Sequence, residues 1–270
     1  MYQRLQIDID AQGIAHLQLA RPEKMNALDA QTFPELIRAA AELAANPAVR
    51  VVVMSGQGRA FCAGLDLSLF TNPDLHSMLG ASDADGVNDV QRAVWTWRAL
   101  PVPVLAAVHG TAFGGGLQLA LGADLRFVAP DTKFSIMEIE YGIIPDICGT
   151  QLWGQLVRED VMRELIFTGR IFTGSEAVEL GIATRVADDP LAAAMAMAQT
   201  IAGKSPDAIR TAKRLINDYR SSGAADGLRR EAQAQIALLH GANQREAVMA
   251  KLEKRAAVFV NPRDLSSPTT

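Results

Sequence analysis

Between Leu5 and Ala20 apolar and polar positions alternate: Leu5, Ile7 and Ile9 share one face, Gln12-Gly13 makes a turn, and IAHLQLA follows. A period of two predicts an antiparallel pair of half-buried strands. From Asp29 to about Ala45 the period lengthens, and Phe33, Leu36, Ile37, Ala40 and Leu43 fall on one side of a helix. After Asn46-Pro47 the run RVVVMSG loses its alternation. A continuous β-branched run between turn residues predicts a strand covered on both faces. PVPVLAAVHG and LRFVAP repeat that pattern, with glycine-containing loops and helical stretches between them. Such an order predicts crossover units in a layered α/β core.

The segment from about Thr71 to Gly86 is polar and reads as a surface excursion before a helix over Val90 to Leu100. From Ser175 onward helical patterns dominate. Ser205-Pro206 reads as an N-cap followed by proline at the first helical position. Leu228 to Leu239 and Val248 to Val258 read as two amphipathic helices, and NPRDLSSPTT as a frayed tail. The expected organisation is an α/β core domain over 1–190 and a helical domain over 191–270. The second is too thin to stand alone, and an apolar helix face there suits a subunit contact.

The 270 residues suffice for one large domain or a main domain with a helical appendage. With 49% apolar and 21% charged residues the chain is globular in composition. A formal net charge of −4 offers no electrostatic footprint for nucleic acid. Cys62 and Cys148 are too few for a disulfide framework and read as ordinary buried thiols. The four histidines lack a close cluster of ligands, so no metal is implied. MYQRLQIDIDAQG carries no basic-then-apolar leader. No stretch supplies the roughly 20 consecutive apolar residues of a membrane span. The expectation is a cytoplasmic protein with no membrane partner.

Two glycine-rich turns each follow a buried strand: SGQGRAFCAGLDL (Ser55 to Leu67) and HGTAFGGGLQLALGAD (His109 to Asp124). Glycines there serve either tight packing or close approach of backbone to a ligand. Neither turn matches a phosphate loop or a dinucleotide fingerprint, which argues against a nicotinamide dehydrogenase. Together they can place two amide N–H groups around one oxygen, the arrangement that stabilises an enolate or oxyanion. In FSIMEIEYGIIPDICGTQL, Glu138 and Asp146 sit in largely apolar stretches. A carboxylate in such a place has a basic partner such as Arg126 or Arg163, is simply solvated, or has a proton to move, because burying an unpaired charge is costly. Asp146 has a further option as cap of a helix starting near Cys148.

These segments resemble the enoyl-CoA hydratase/isomerase, or crotonase, superfamily across nearly the whole chain. RPEKMNALD is similar to its early segment, GRAFCAGLDL to its first oxyanion turn, AVHGTAFGGGLQLALGAD to its second, and FTGRIFTGSEAVELGIATRV to a later helix–turn segment. The resemblance implies an α/β fold built as a spiral of ββα units with a C-terminal helical region, in homotrimers that often pair into hexamers. It implies no redox or metal cofactor, and coenzyme A as the carrier part of an acyl-CoA substrate. Carried onto this chain, the oxyanion donors are the amides of Leu65 and Gly115. Arg59, Ala63, Leu65, Asp66, Leu67 and Gly115 fall where the family contacts the CoA moiety.

Family hydratases place two glutamates around a water. Glu138 matches the second, and Gln118 stands at the first, where it can orient a water or hold a substrate oxygen but cannot accept a proton as a carboxylate does. Asp146 falls where dienoyl-CoA isomerases of the family carry an active-site aspartate. The leading expectation is hydration across the 2,3 double bond, because that activity is the commonest in the superfamily. Double-bond isomerisation is the alternative, and a non-catalytic acyl-CoA-binding protein is the alternative of another class. His109 is expected to satisfy a local hydrogen bond rather than to catalyse.

Overall fold

The structure is a computed structural model that describes residues 1–71, 78–80, 86–154, 156–218 and 223–263. The alternating opening folds as expected: β1 (Leu5–Ile9) and β2 (Ile14–Leu19) pair antiparallel, with Leu5 opposite Leu19. Helix α1 (Thr32–Ala45) starts three residues after Asp29. The Asp29 carboxylate prepares that start by accepting from the Thr32 N–H and hydroxyl.

The unalternating runs become the centre of a sheet. β3 (Val51–Gly56), β4 (Val104–Val108), β6 (Leu125–Val128) and β9 (Arg185–Val186) join it in parallel, giving the order β1-β2-β3-β4-β6-β9. Its two faces are both covered, which is why the sequence shows no period of two there. Val52, Met54, Val104, Ala106 and Val108 belong to the larger core, which also holds Phe33, Leu36, Val94 and Trp97. These last four come from α1 and from α2 (Asp89–Ala99), which Asn88 and Gln91 close with a capping box. Val51, Val53, Leu105 and Phe127 face Ala194 and Ala198 of a later helix (Pro190–Ala202).

A smaller sheet, β5 (Thr111–Phe113), β7 (Lys133–Ser135) and β8 (Phe172–Thr173), lies around the second glycine turn. Helix α3 (Gly115–Leu121) springs directly from β5. Then come a 3-10 helix (Met137–Tyr141) and the helices α4 (Gly149–Trp153), α5 (Glu159–Thr168) and α6 (Gly174–Glu179). The helix Pro190–Ala202 is α7; α8 (Pro206–Asp218), α9 (Ala224–Leu238) and α10 (Ala242–Glu253) complete the described elements.

Two expected boundaries shift. The helix expected over Val248 to Val258 begins earlier and ends at Glu253, because Lys254 turns left-handed (φ +53) and Arg255 bonds back to Ala250. The helix expected over Leu228 to Leu239 begins at Ala224. Most of the polar excursion, 72–77 and 81–85, and the tail from 264 lie outside the described residues. Among the described residues no helix is long and apolar enough to cross a membrane.

Candidate active site

The two glycine turns are stitched together strand-fashion. The Cys62 N–H donates to Thr111 O (3.0 Å), and the Phe113 N–H donates to Cys62 O (3.1 Å). Buried Asn26 holds the first turn from behind: it accepts the Arg21 N–H through Oδ1 and donates Nδ2 to the carbonyls of Gln57 and Ala60. Leu28 forms a parallel bridge with Leu65, donating to Gly64 O (2.8 Å) and accepting from the Asp66 N–H (2.9 Å). In that pattern the flanking residues make the bonds, so the Leu65 N–H points to the other side.

The Gly115 N–H is equally unoccupied for a different reason. Gly115 opens α3, where backbone donors have no partner one turn earlier, and Gly114 has no side chain to cap them. Among the described residues neither the Leu65 nor the Gly115 N–H has an acceptor. The two nitrogens are close because glycine lets them be: a Cβ at Gly64 would lie 2.7 Å from Phe113 O and 3.8 Å from Gly115 N. A Cβ at Gly116 would lie 2.4 Å from Cys62 O, so glycine there lets α3 start against the first turn.

Glu138, in the 3-10 helix Met137–Tyr141, is buried beside this pair. A Cβ at Gly114 would lie 3.0 Å from its Oε1. The expected salt-bridge partners are elsewhere: Arg126 donates to the carbonyls of Ile182 and Ala123, and Arg163 pairs with Glu159. Instead, Gln118 Nε2 donates to Glu138 Oε1 at 2.6 Å. The Gln118 amide cannot turn over, because its Oε1 accepts the Gly149 N–H at 2.9 Å. Glu138 Oε2 is buried with no hydrogen-bond partner among the described residues. Burial pushes the Glu138 carboxyl above the ordinary glutamate range, and the charge of Asp146 adds to that. Burial pushes Asp146 up as well. Asp146 caps nothing: the residue before α4 is Cys148, and no side chain caps that helix.

A cavity of about 60 Å³ opens at this point. Of the residues singled out from sequence, Ala63, Leu65, Leu67, Gly115 and Glu138 line it. Gln118 sits behind Glu138, and Asp146 is near enough to act on Glu138 electrostatically without lining the cavity. The Asp66 carboxylate turns away to Ser68 and to Arg21, 2.7 Å off, which hold it down at about 2. The Arg59 side chain is exposed, and His109 makes the local bond expected of it, to Gly58 O. Burial holds both thiols protonated, Cys62 at about 12 and Cys148 at about 11.

Sequence reasoning gave no role to Asn26, Gly149, Phe70 or Tyr141. Asn26 carried a signal, since asparagine tolerates the left-handed backbone it adopts here (φ +56). The others are recognisable only through partners distant in sequence. Among the described residues no group of three or more His, Cys, Asp or Glu could hold a metal ion.

Residues 10–262 match the family described as enoyl-CoA hydratase/isomerase. The peroxisomal Delta(3,5)-Delta(2,4)-dienoyl-CoA isomerase of Arabidopsis thaliana is 32% identical over 92% of this chain and 92% of its own length. An enoyl-CoA hydratase of Bacillus anthracis superposes with a TM-score of 0.88 at 29% identity, covering 95% of this chain and 99% of that one. One from Mycobacterium smegmatis gives 0.85 at 28%, with 94% and 98% covered. The layered α/β architecture with its C-terminal helices is therefore that of these structures. With matching sequence and fold in hand, the chain belongs to the enoyl-CoA hydratase/isomerase family.

Proposed function

We propose that the protein moves a carbon–carbon double bond within an enoyl-CoA thioester by a proton shift through Glu138. The thioester carbonyl accepts the N–H groups of Leu65 and Gly115. Glu138 takes a proton from C2 of a 3-enoyl-CoA, and the electron pair passes into the carbonyl as an enolate that the two amides stabilise. The same carboxyl then returns the proton at C4, and the double bond is left between C2 and C3. No atom is gained or lost.

The observation that carries this reading is the Gln118 clamp. Its carbonyl is committed to Gly149 and its amide to Glu138 Oε1, so one carboxylate with one oxygen unpartnered among the described residues stands at the cavity. That set suits taking and returning a single proton. A raised pKa suits it too, because the carboxylate is then a stronger base than an exposed glutamate.

Hydration is the second reading, and Asp146 favours it. A second, half-buried carboxyl near enough to act on Glu138 can help to activate a water, in place of the acid that Gln118 does not supply. A purely CoA-binding role has less support, because among the described residues Glu138 has no ion-pair partner to explain its burial. In every reading the Arg59 to Leu67 segment takes the CoA side of the substrate. Exposed Leu228, Ile236 and Leu239 on or next to α9, and Val248, Met249 and Leu252 on α10, support burial of the helical region, residues 191–270, in a homotrimer or a dimer of trimers.

The test is chromatographic, with 2-enoyl- and 3-enoyl-CoA offered to the wild type, Glu138→Gln and Asp146→Asn. Interconversion of the two isomers that Glu138→Gln loses and Asp146→Asn retains supports the proton shift. A hydroxyacyl product that needs both carboxyls supports hydration instead.

A further inference from the structure

Two large aromatic side chains meet across the cavity. Phe70 is the fourth residue of the 3-10 helix Leu67–Thr71, which begins two residues after the Leu65 amide. Tyr141 ends the 3-10 helix that carries Glu138. Their rings stack with centroids 5.7 Å apart and planes 25° off parallel, and both line the cavity. Phe70 is 42% exposed and Tyr141 50%, so their apolar faces border the opening instead of filling the core. Half-exposed apolar rings beside an oxyanion pair call for a duty other than filling the core.

The size of the space gives them one. Pockets that enclose drug-sized ligands occupy roughly 300–1,000 Å³. The cavity here holds about 60 Å³ with the ring pair closed, room for the reacting carbons and little more. A longer acyl chain entering between the rings has to part them and lose their stacking. A short acyl group leaves both in place.

We propose that Phe70 and Tyr141 form an aromatic clasp that sets acyl size, so that the enzyme favours short enoyl thioesters of about four carbons over long ones. The proposal rests on the enoyl-CoA reading above and names its substrate class. It also predicts an asymmetry between the two rings' chemistry and their bulk. Removing the Tyr141 hydroxyl leaves the clasp intact, whereas removing either ring opens it.

The test compares four-carbon and ten-carbon enoyl-CoA on the wild type, Phe70→Ala, Tyr141→Ala and Tyr141→Phe, with thermal melts to confirm folding. The expected result is a wild-type kcat/KM at least tenfold higher for four carbons. Either alanine variant should shift the ratio at least tenfold toward ten carbons, and Tyr141→Phe should not. A ratio near one in the wild type, or one unmoved by both alanine variants, overturns the clasp while leaving the enoyl-CoA reading intact. Calorimetry with butanoyl- and decanoyl-CoA makes the same comparison without turnover. Binding of neither overturns the enoyl-CoA reading and the clasp together; equal binding of both by every variant overturns the clasp alone.

Discussion

At the scale of single residues the account turns on Glu138. Replacing it with Gln keeps the shape and the acceptor for Gln118 but removes the proton carrier, and turnover should fall by about 10²–10⁴-fold. Stability should move the other way. Burial raises the Glu138 pKa in the folded protein, so the folded state binds the proton more tightly than the unfolded chain does. Stability therefore falls as pH rises from the ordinary glutamate range through the raised value. Glu138→Gln lacks that loss, and its melting temperature should exceed the wild type's above the raised pKa and converge with it in acid. Activity that depends on the carboxylate should fall as pH drops through the same raised value, above where an exposed glutamate titrates. Gln118→Ala leaves the buried Gly149 N–H without its acceptor and Glu138 without its clamp. It should cost about 1–3 kcal/mol of stability and on the order of 10–100-fold in kcat through misplacement of the base. Denaturant melts and steady-state rates check both.

Glu138 was legible in the sequence because a carboxylate among Ile136, Met137 and Ile139 needs a reason to be there. The clamp was not, since Gln118 is 20 residues from Glu138 and 31 from Gly149, and no local pattern joins them. Asp66 lies in the same turn, and its side chain closes an ion pair with Arg21, 45 residues away, while its neighbours Leu65 and Leu67 line the cavity.

At the scale of elements, burial on both faces made β3, β4 and β6 readable, and alternation did the same for β1 and β2. The 3-10 helices that carry Phe70 and Glu138 are five residues each, too short for a helical period to appear. The two glycine turns were visible, but their union depends on contact between non-adjacent backbones. Gly116→Ala tests that union. The added methyl would meet Cys62 O at 2.4 Å, so α3 and the first turn have to separate. A destabilisation of about 1–3 kcal/mol is expected from overpacking alone. Activity should suffer more than stability, since the same shift moves the Gly115 amide from the Leu65 amide.

At the scale of the whole molecule, the helical region is anchored to the sheet by a buried cation. Lys213 of α8 is 7% exposed and donates to Asp124 (2.7 Å), Val102 O (2.9 Å) and Trp97 O (3.4 Å). Asp124 also accepts the Val104 N–H, so the loop before β6, the start of β4 and α8 share one polar knot. Breaking a buried pair by removing one partner costs about 3–5 kcal/mol. Because Asp124 keeps that backbone donor and lies 3.9 Å from Arg98, Lys213→Ala should cost nearer the lower end. Chemical denaturation measures it. The sequence showed amphipathic helices in this region but no hint of this anchor, which links residues 89 positions apart.

The central claim is that one carboxylate, beside two backbone amides, carries a single proton between carbons of an enoyl-CoA. The most direct measurement is mass spectrometry of the products formed from a 3-enoyl-CoA in deuterated water, by the wild type and by Glu138→Gln. The account predicts the 2-enoyl isomer with no added water, at most one deuterium introduced per conversion, and conversion by the variant slowed by about 10²–10⁴-fold. A product heavier by one water, or isomerisation undiminished by loss of the Glu138 carboxylate, would contradict it.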